Sequence, residues 1–296
     1  MSLTIKIKSF FNYLLYDRFW LIKFFVEPFY VFFIKKKLIK SFYNNNLDKI
    51  LNTEPLEELT SQEIKNQKDK IDVFDPVLNV TKKYPPIIPD LSRLYNLLKS
   101  NKPFTVLEFG IGYSTIVMAQ ALYENKKQFN NIHKKSIRNS NMFKLFCVDG
   151  SQKWIDEVKN KIPNHLKDFI TIIRSDIEIK NINNQICHVY KEIPDINPEF
   201  IYLDGPHPLD PKGSINNISF QCLERTPISA DLLLLESTLL PGTRILVDGR
   251  TNNVRFLKNN LKRNFKFKWD RYGDVTHIIL SEKRLGKLNK LGFEFY

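Results

Sequence analysis

Five acidic residues in this chain stand at or near the ends of short apolar runs, where a side chain can reach a ligand. The first acid is followed by two glycines separated by one residue, which let the backbone turn tightly and approach a bound molecule. Carboxylates accept hydrogen bonds from hydroxyl groups and attract positive charge. The pattern predicts a site for a ligand that carries both hydroxyl groups and positive charge. The residues are Glu108, Gly110, Gly112, Asp149, Asp176, Asp204 and Asp248.

The first apolar run and the residues after it predict a strand, a turn and a helix. Thr105 to Phe109 is apolar and β-branched at its start, which is typical of a buried parallel strand. Ser114 and Thr115 can cap the helix that starts there, and residues 116–122 supply its apolar positions. Together these form a nucleotide-binding turn of a doubly wound sheet. A complete Gly-x-Gly-x-x-Gly motif is absent, because position 115 is Thr.

The rest of the chain alternates between predicted strands and helices. This alternation predicts an α/β fold: a Rossmann-like, doubly wound, mostly parallel seven-stranded sheet. A final hairpin adds an antiparallel C-terminal strand. In such a sheet the ligand binds at the carboxyl ends of the strands, where the acids lie. We expect a surface loop at 124–141 and an N-cap at Asp90. The predicted strands are 105–109, 144–148, 169–174, 200–203, 244–247, 265–269 and 277–280, and the predicted helices include 90–99, 154–161, 231–240 and 253–263.

The motif Glu-x-Gly-x-Gly-x-Ser, residues 108–114, resembles the first motif of the class I S-adenosylmethionine-dependent methyltransferases. The resemblance covers residues 81–296 and implies S-adenosylmethionine as the cofactor, whose sulfonium, ammonium and ribose hydroxyls suit a rim of acids. It further implies a role for each position of the rim. Glu108, Gly110, Gly112 and Ser114 would hold the amino-acid end of the cofactor, Asp149 the ribose and Asp176 the adenine, while Asp204 would lie where the acceptor meets the methyl group.

His207 and the acids after the fourth and fifth strands are the candidates for catalysis. An imidazole titrates near neutral pH, so His207, like Asp204, could remove the acceptor's proton. Catechol-type O-methyltransferases bind Mg²⁺ through acids at positions similar to Asp204 and Asp248, together with a nearby Asn. Here Gly249 follows Asp248 instead, with Asn252 or Asn253 as substitutes. We favour a site without a metal, and Mg²⁺ remains the alternative.

These residues predict a methyltransferase that acts on an oxygen acceptor, or less favourably on a nitrogen. Three alternatives remain open: an aminopropyltransferase, a nicotinamide enzyme on a similar fold, and a non-catalytic, membrane-tethered adaptor that binds the cofactor. The missing third glycine and the closing hairpin argue against the nicotinamide enzyme. The acceptor is expected to be a small molecule or a glycan, including a lipid-linked precursor.

Composition sets limits on location and partners. Of 296 residues, 43% are hydrophobic, enough for a sizeable core, and the three cysteines are too far apart in sequence to suggest a disulfide framework or a zinc site. A reducing, cytoplasmic location fits. The net charge of +13 invites a nucleic-acid partner, but the lysines are not gathered into one block, so we consider nucleic acid unfavoured.

Residues 1–43 differ in composition from the rest of the chain, because they are rich in aromatic residues and flanked by lysines. Their most apolar run, 19–34, contains Lys23, Glu27 and Pro28 and is shorter than the ~20 residues a spanning helix needs. The segment therefore predicts a helical appendage that contacts a membrane surface, at the inner face, or that packs on the main domain or on a second subunit in a homodimer. Residues 44–80 form a polar linker or short helices, and residues 81–296 form the methyltransferase-like domain.

Overall fold

A computed structural model of the chain describes residues 20–53, 86–129, 137–222, 224–286 and 289–296, with side chains from residue 28 onward. Seven strands form one sheet in the order β3-β2-β1-β6-β7-β9-β8. All neighbours pair in parallel except β9, which runs antiparallel to both β7 and β8. The predicted Rossmann-like α/β fold with an antiparallel C-terminal strand is confirmed. The strands are β1 (Thr105–Phe109), β2 (Lys144–Asp149), β3 (Ile170–Arg174), β4 (Ile177–Ile182), β5 (Gln185–Tyr190), β6 (Phe200–Leu203), β7 (Arg244–Asp248), β8 (Phe265–Asp270) and β9 (Val275–Leu280).

Helices cover both faces of this sheet. On one face, α3 and α4 pack over β1 and β2, whereas α6, α7 and a small hairpin cover the opposite face. All five residues of β1 are buried, since this strand lies in the middle of the sheet with layers on both sides. The helices are α1 (Trp20–Asn44), α2 (Leu47–Leu51), α3 (Ile88–Asn101), α4 (Tyr113–Gln128), α5 (Gln152–Lys161), α6 (Asp231–Leu235) and α7 (Thr251–Asn260), with 3-10 turns at Asn164–Phe169, Glu236–Thr238 and Gly292–Phe295.

The hairpin is formed by β4 and β5 and was not predicted. It follows β3 and precedes β6 along the chain, and it forms a separate two-stranded antiparallel sheet. Its two-residue turn, Asn183-Asn184, has positive φ at both positions, 52° and 59°. Two such residues in succession are what a tight hairpin turn requires. The hairpin brings His188 and Tyr190 toward the loop that follows β6.

Helices α6 and α7 both end earlier than predicted, and one interaction explains both ends. The buried carboxylate of Glu236 accepts hydrogen bonds from the backbone N–H groups of Lys262 and Arg263, each at 2.6 Å. In return, Nη1 of Arg263 donates to the carbonyls of Glu236 and Leu239 at 2.8 and 2.6 Å. These contacts satisfy the backbone groups that further helical turns would have used.

Two other local predictions were wrong. Asp90 is not the N-cap of α3, because that helix begins at Ile88 and the Asp90 carboxylate pairs with Nη1 of Arg93 at 2.6 Å. Residues 124–128 belong to α4 rather than to a loop. The first two of these side chains face α3: Glu124 accepts from the Tyr95 hydroxyl at 2.6 Å, and Nδ2 of Asn125 donates to the Leu98 carbonyl at 3.0 Å. His133 and the other residues of 130–136 lie outside the described residues.

The N-terminal segment joins the main core through its C-terminal end. Phe42 and Leu47 are fully buried against α3 and α4, and Ser41 exchanges hydrogen bonds with Asn96 of α3. The division into 1–43, 44–80 and 81–296 remains a prediction, and residues 54–80 lie outside the described part. No helix within the described residues combines the length and apolar character that crossing a bilayer requires.

Candidate functional site

The turn after β1 depends on one glycine for its shape and leaves open space beside the other. Gly110 has a φ of +110°, which disfavours any side chain, and its N–H donates to the Val148 carbonyl at 2.9 Å. Gly112 has extended backbone that any residue can adopt. A Cβ added to Gly112 would approach only Oγ of Ser114, at 3.7 Å. The protein itself therefore does not require glycine at this position, whereas a ligand lying on the turn would.

A second loop closes against this turn. A Cβ on Gly205, which follows β6, would come within 2.6 Å of the Gly110 nitrogen and 2.7 Å of its Cα. The Gly205 N–H donates to the Phe109 carbonyl at 2.5 Å. Only glycine permits this approach of the two backbones. Sequence analysis did not single out Gly205, although it lies between two predicted site residues.

Glu108 is buried and bonds to protein groups. Its carboxylate accepts hydrogen bonds from Oγ of Ser114 at 2.5 Å, Oγ1 of Thr115 at 2.7 Å and Sγ of Cys147 at 3.2 Å. Burial raises the pKa of Glu108 to about 7, although the three hydrogen bonds oppose the shift. Glu108 and Ser114 thus tie β1 to the first turn of α4, and their contact with a ligand stays a prediction.

Asp149 connects the ends of β1 and β2. Its Oδ1 accepts from the Ser151 N–H at 2.7 Å, and the nearby backbone N–H of Ile111 lowers the pKa of this carboxyl. Burial raises the pKa of Asp149 to about 6, and the nearby Asp210 adds to the shift. The carboxylate therefore lies beside the Gly110–Gly112 turn, and its remaining lone pairs can accept hydrogen bonds from ligand hydroxyls.

Asp204 and Asp248 lie together at the ends of β6 and β7, as predicted from the parallel order of the strands. The Tyr202 hydroxyl donates to Oδ2 of Asp248 at 2.8 Å. Burial raises the pKa of both acids, and the charge of Asp204 raises that of Asp248 further. Asp204 is nevertheless accessible to solvent. The protein around Asp204 raises its pKa although part of the residue reaches solvent.

Two residues of α3 border this pair of acids. Asp90 and Arg93, in the first turns of the helix, form an ion pair at 2.6 Å, and both charges act on Asp248. Asp90 raises the pKa of Asp248, whereas Arg93 lowers it. The α3 N-terminus is therefore one wall of the region where Asp204 and Asp248 meet.

His207 lies in a loop that Arg250 holds in place. Nη2 of Arg250 donates to the carbonyls of Asp204 and Pro206, the latter at 2.9 Å. Nδ1 of His207 accepts from the Leu209 N–H at 3.3 Å, so the neutral ring carries its proton on Nε2. Partial burial lowers the pKa of His207, which keeps the ring neutral near pH 7. In this tautomer Nε2 can donate a hydrogen bond to a ligand.

Asp176 differs from the other predicted site residues. It follows β3 by two positions, its side chain is about half exposed, and it pairs with Nη2 of Arg174 at 2.6 Å. Its carboxylate pairs with Arg174, whereas Asp149 is buried beside the Gly110–Gly112 turn and Asp248 bonds to the Tyr202 hydroxyl. Its predicted role toward adenine has no support from its side-chain contacts.

The donor set around Asp204 and Asp248 fits a divalent metal poorly. Asn253 is buried, and its amide is used on both sides, accepting from the Ser229 N–H and donating to the Ser229 carbonyl, each at 2.9 Å. Asn252 is exposed and contacts Thr226 and Arg255 at 3.4 Å. No group of three or more His, Cys, Asp or Glu within the described chain could hold a metal ion.

The chain matches no protein-family model and no curated protein. It is similar to several solved structures. The O-methyltransferase TomG from Streptomyces achromogenes, involved in tomaymycin synthesis and bound to S-adenosylmethionine, is 10% identical over 78% of this chain and all of its own, with a TM-score of 0.39. The S-adenosylhomocysteine-bound methyltransferase PaMTH1 from Podospora anserina is 13% identical over 76% of this chain and 97% of its own, with a TM-score of 0.42.

An O-methyltransferase from Bacillus cereus, in complex with S-adenosylhomocysteine, is 13% identical over 73% of this chain and 96% of its own, with a TM-score of 0.36. At TM-scores this low the similarity is weak. The strand order and pairing define the fold.

Proposed function

We propose that this protein is an S-adenosylmethionine-dependent methyltransferase that acts on a hydroxyl group. One observation carries the proposal: the Gly110–Gly112 turn, Asp149 and the pair Asp204 and Asp248 converge at the carboxyl edge of a sheet whose β9 is antiparallel. This is the arrangement of sheet and acids that the motif at 108–114 leads one to expect.

The residues around the turn fit such a cofactor. Gly112 leaves open space where another residue would place a Cβ, which supports close approach of a ligand to the backbone. Asp149 would accept hydrogen bonds from the ribose hydroxyls. Among the described residues, the buried hydroxyl of Tyr190 has no hydrogen-bond partner. It lies close enough to Asp149 for the charge of that acid to raise the pKa of Tyr190. A buried hydroxyl needs a partner, which a ligand or an ordered water would supply.

When bound, S-adenosylmethionine supplies a methyl group on a positively charged sulfur. The chain's own part is to orient the acceptor and take its proton. Asp204 and Asp248 support this role, because burial moves the pKa of both upward, toward the range where a carboxylate works as a base near neutral pH. His207 would donate from Nε2 or, after rotation of its ring, accept the proton instead.

For the acceptor we propose a hydroxyl of a glycan or of a lipid-linked precursor, in preference to a nitrogen. The support is helix α1, which carries the exposed side chains of Phe29, Phe32 and Phe33. Its Tyr30 packs against Tyr272 in the turn between β8 and β9, at this edge of the sheet. An aminopropyltransferase would use the same cofactor site with a decarboxylated cofactor, and a nicotinamide enzyme would bind a dinucleotide there, so cofactor binding separates the three.

The test is calorimetric titration of the full chain with S-adenosylmethionine, S-adenosylhomocysteine, decarboxylated S-adenosylmethionine and NAD⁺. We expect micromolar binding of the first two compounds and a loss of roughly tenfold or more in Asp149→Ala, because charged hydrogen bonds to the ribose disappear. The matched control is Asp168→Ala, an exposed acid just before β3, at the opposite edge of the sheet.

Each other outcome contradicts a defined part of the proposal. Tighter binding of the decarboxylated compound would favour aminopropyl transfer. If only NAD⁺ binds, the cofactor is a nicotinamide dinucleotide rather than S-adenosylmethionine. If Asp149→Ala and Asp168→Ala weaken binding equally, the cofactor does not lie where we place it.

A further inference from the structure

Helix α1 has one face packed on the protein and one face that the described residues leave mostly exposed. Phe42 and the partly buried Ile39 lie against α3 and the core, and Ser41 hydrogen-bonds to Asn96. The opposite face carries aromatic side chains followed by lysines. These residues form what we term the outer face of α1: Phe29, Tyr30, Phe32, Phe33, Lys36, Lys37 and Lys40, all exposed.

The aromatic part of this face is unusually apolar for a surface in water. Phe29, Phe32 and Phe33 are 67%, 60% and 64% exposed. Other exposed large hydrophobic side chains in the described chain, such as Leu234 and Leu285, stand apart from one another in sequence. Single exposed apolar residues are common on proteins, but a contiguous group marks an interaction surface.

The aromatic end of the outer face lies at the carboxyl edge of the sheet, beside the candidate site. The ring of Tyr30 packs edge-on against Tyr272 at 5.4 Å, in the turn between β8 and β9. Lys35 is close enough to Asp90 to lower its pKa, and Asp90 in turn acts on Asp204 and Asp248. Helix α1 begins at Trp20, ten residues and about 15 Å before Tyr30.

The residue types on this face match the surface of an anionic bilayer. Aromatic rings suit the boundary between headgroups and acyl chains, and lysines one to two turns away can reach acidic headgroups. Nζ of Lys36 lies 6.0 Å from the Phe32 ring, so the two kinds of residue are adjacent. Lysine is depleted from the core of protein–protein interfaces, which makes a second protein copy the less fitting occupant.

We propose that the outer face of α1 docks on the surface of an anionic membrane and turns the carboxyl edge of the sheet toward the lipid. This proposal does not rest on methyl transfer, because it uses only the position and composition of the helix. If methyl transfer is also correct, the site opens toward acceptors held in the membrane.

The experiment is flotation of the full chain with two kinds of vesicle, one of phosphatidylcholine alone and one that also contains phosphatidylglycerol. We expect the protein to float with the phosphatidylglycerol vesicles. The variants Phe29→Ser/Phe32→Ser/Phe33→Ser and Lys36→Gln/Lys37→Gln/Lys40→Gln should each lose binding roughly tenfold or more. All altered positions are exposed, and thermal melting of each variant checks that it remains folded.

Two control variants separate this face from general properties of the chain. Lys153→Gln/Lys159→Gln/Lys258→Gln removes the same charge from exposed positions of α5 and α7, and Leu234→Ser/Leu285→Ser removes exposed apolar side chains elsewhere. Both should bind as the unchanged protein does. Equal losses in the lysine control would mean attraction by net charge alone and would overturn the proposal.

Two further results would also overturn it. One is the absence of flotation with either kind of vesicle. The other is a dimer in sedimentation equilibrium that the triple serine variant of the phenylalanines converts to a monomer, since the outer face would then be covered by a second copy of the chain.

Discussion

The hydroxyl of Tyr202 lies between Asp204 and Asp248, two acids whose negative charges repel each other. It donates to Asp248 at 2.8 Å and also lowers the pKa of Asp204. Burial of Asp248 and the charge of Asp204 act in the opposite direction and raise the pKa of Asp248. The ionisation of this pair therefore depends on this buried phenol as well as on the charge of Arg250, which lowers the pKa of Asp204.

This arrangement predicts opposite effects of two substitutions on Asp248. Tyr202→Phe removes a hydrogen bond to the ionised form and should raise the pKa of Asp248 by roughly one pH unit. Asp204→Asn removes a negative neighbour and should lower it by a similar amount. Carboxyl ¹³C NMR titration of the full chain measures both, with the exposed Asp168 as an internal control. A shift of the same sign in both variants would contradict the proposed contacts.

Sequence analysis identified most of the residues at this edge but not how they are partnered. Asp149, Asp204 and Asp248 were predictable because acids after parallel strands must share one edge. Tyr202, Gly205, Asp210 and Arg250 were not, since their importance arises from contacts between loops distant in sequence. The surface pairing of Asp176 with Arg174 was equally unpredictable, because a strand-end position does not determine which way a side chain turns.

At the scale of elements, the turn from β1 to α4 contains one glycine whose conformation requires it and one whose conformation does not. Gly110 needs its positive φ, whereas Gly112 has extended backbone and space for a Cβ. We therefore expect Gly110→Ala to destabilise the protein by about 1–3 kcal/mol. Gly112→Ala should leave stability within about 0.5 kcal/mol yet weaken S-adenosylhomocysteine binding roughly tenfold.

Urea unfolding and calorimetric titration of the two variants test this pair of expectations. Each variant is the control for the other, because both add one methyl group to the same turn. Unchanged affinity in Gly112→Ala would remove the argument that a ligand lies on the turn. A large loss of stability in that variant would show that the turn, rather than a ligand, requires glycine at position 112.

The seven strands of the sheet were predicted in order, whereas the β4–β5 hairpin was missed. Its signal is present: Ile177 and Ile179 alternate with polar residues, and Asn183-Asn184 can adopt the positive φ values of a tight turn. The expectation of a simple β/α alternation left these residues without an assigned element. The early ends of α6 and α7 had no local signal, because both result from Glu236 and Arg263, which only the folded chain brings together.

At the scale of the whole molecule, the C-terminus is fastened to the start of the sheet by one buried acid. Oε2 of Glu199, just before β6, accepts from the Gly292 N–H at 2.8 Å and the Phe104 N–H at 3.3 Å. Phe295 and Tyr296 then stack near Phe104. This fastening is at the edge opposite the candidate site, so it should influence stability without touching ligand binding.

Burial raises the pKa of Glu199 to about 7 from a usual value of 4.5, although the two N–H groups oppose the shift. The folded chain therefore binds a proton that the unfolded chain releases between these values. By linkage, the stabilisation that Glu199 contributes is fully present below its pKa in the unfolded chain. It is lost as the pH rises through its pKa in the folded chain, about 7. The loss is on the order of 3 kcal/mol at ~1.4 kcal/mol per pH unit.

We accordingly predict that Glu199→Gln, which is neutral at every pH, loses less stability than the unchanged protein between about pH 5 and pH 8. The stability of Glu199→Gln should still fall with pH over this range, because the pKa of Glu108 is also raised to about 7 and those of Asp149 and Asp231 to about 6. Urea unfolding at several pH values measures the difference, with the exposed Glu192→Gln as the control. Parallel pH profiles for Glu199→Gln and the unchanged protein would mean that Glu199 is already ionised in the folded chain.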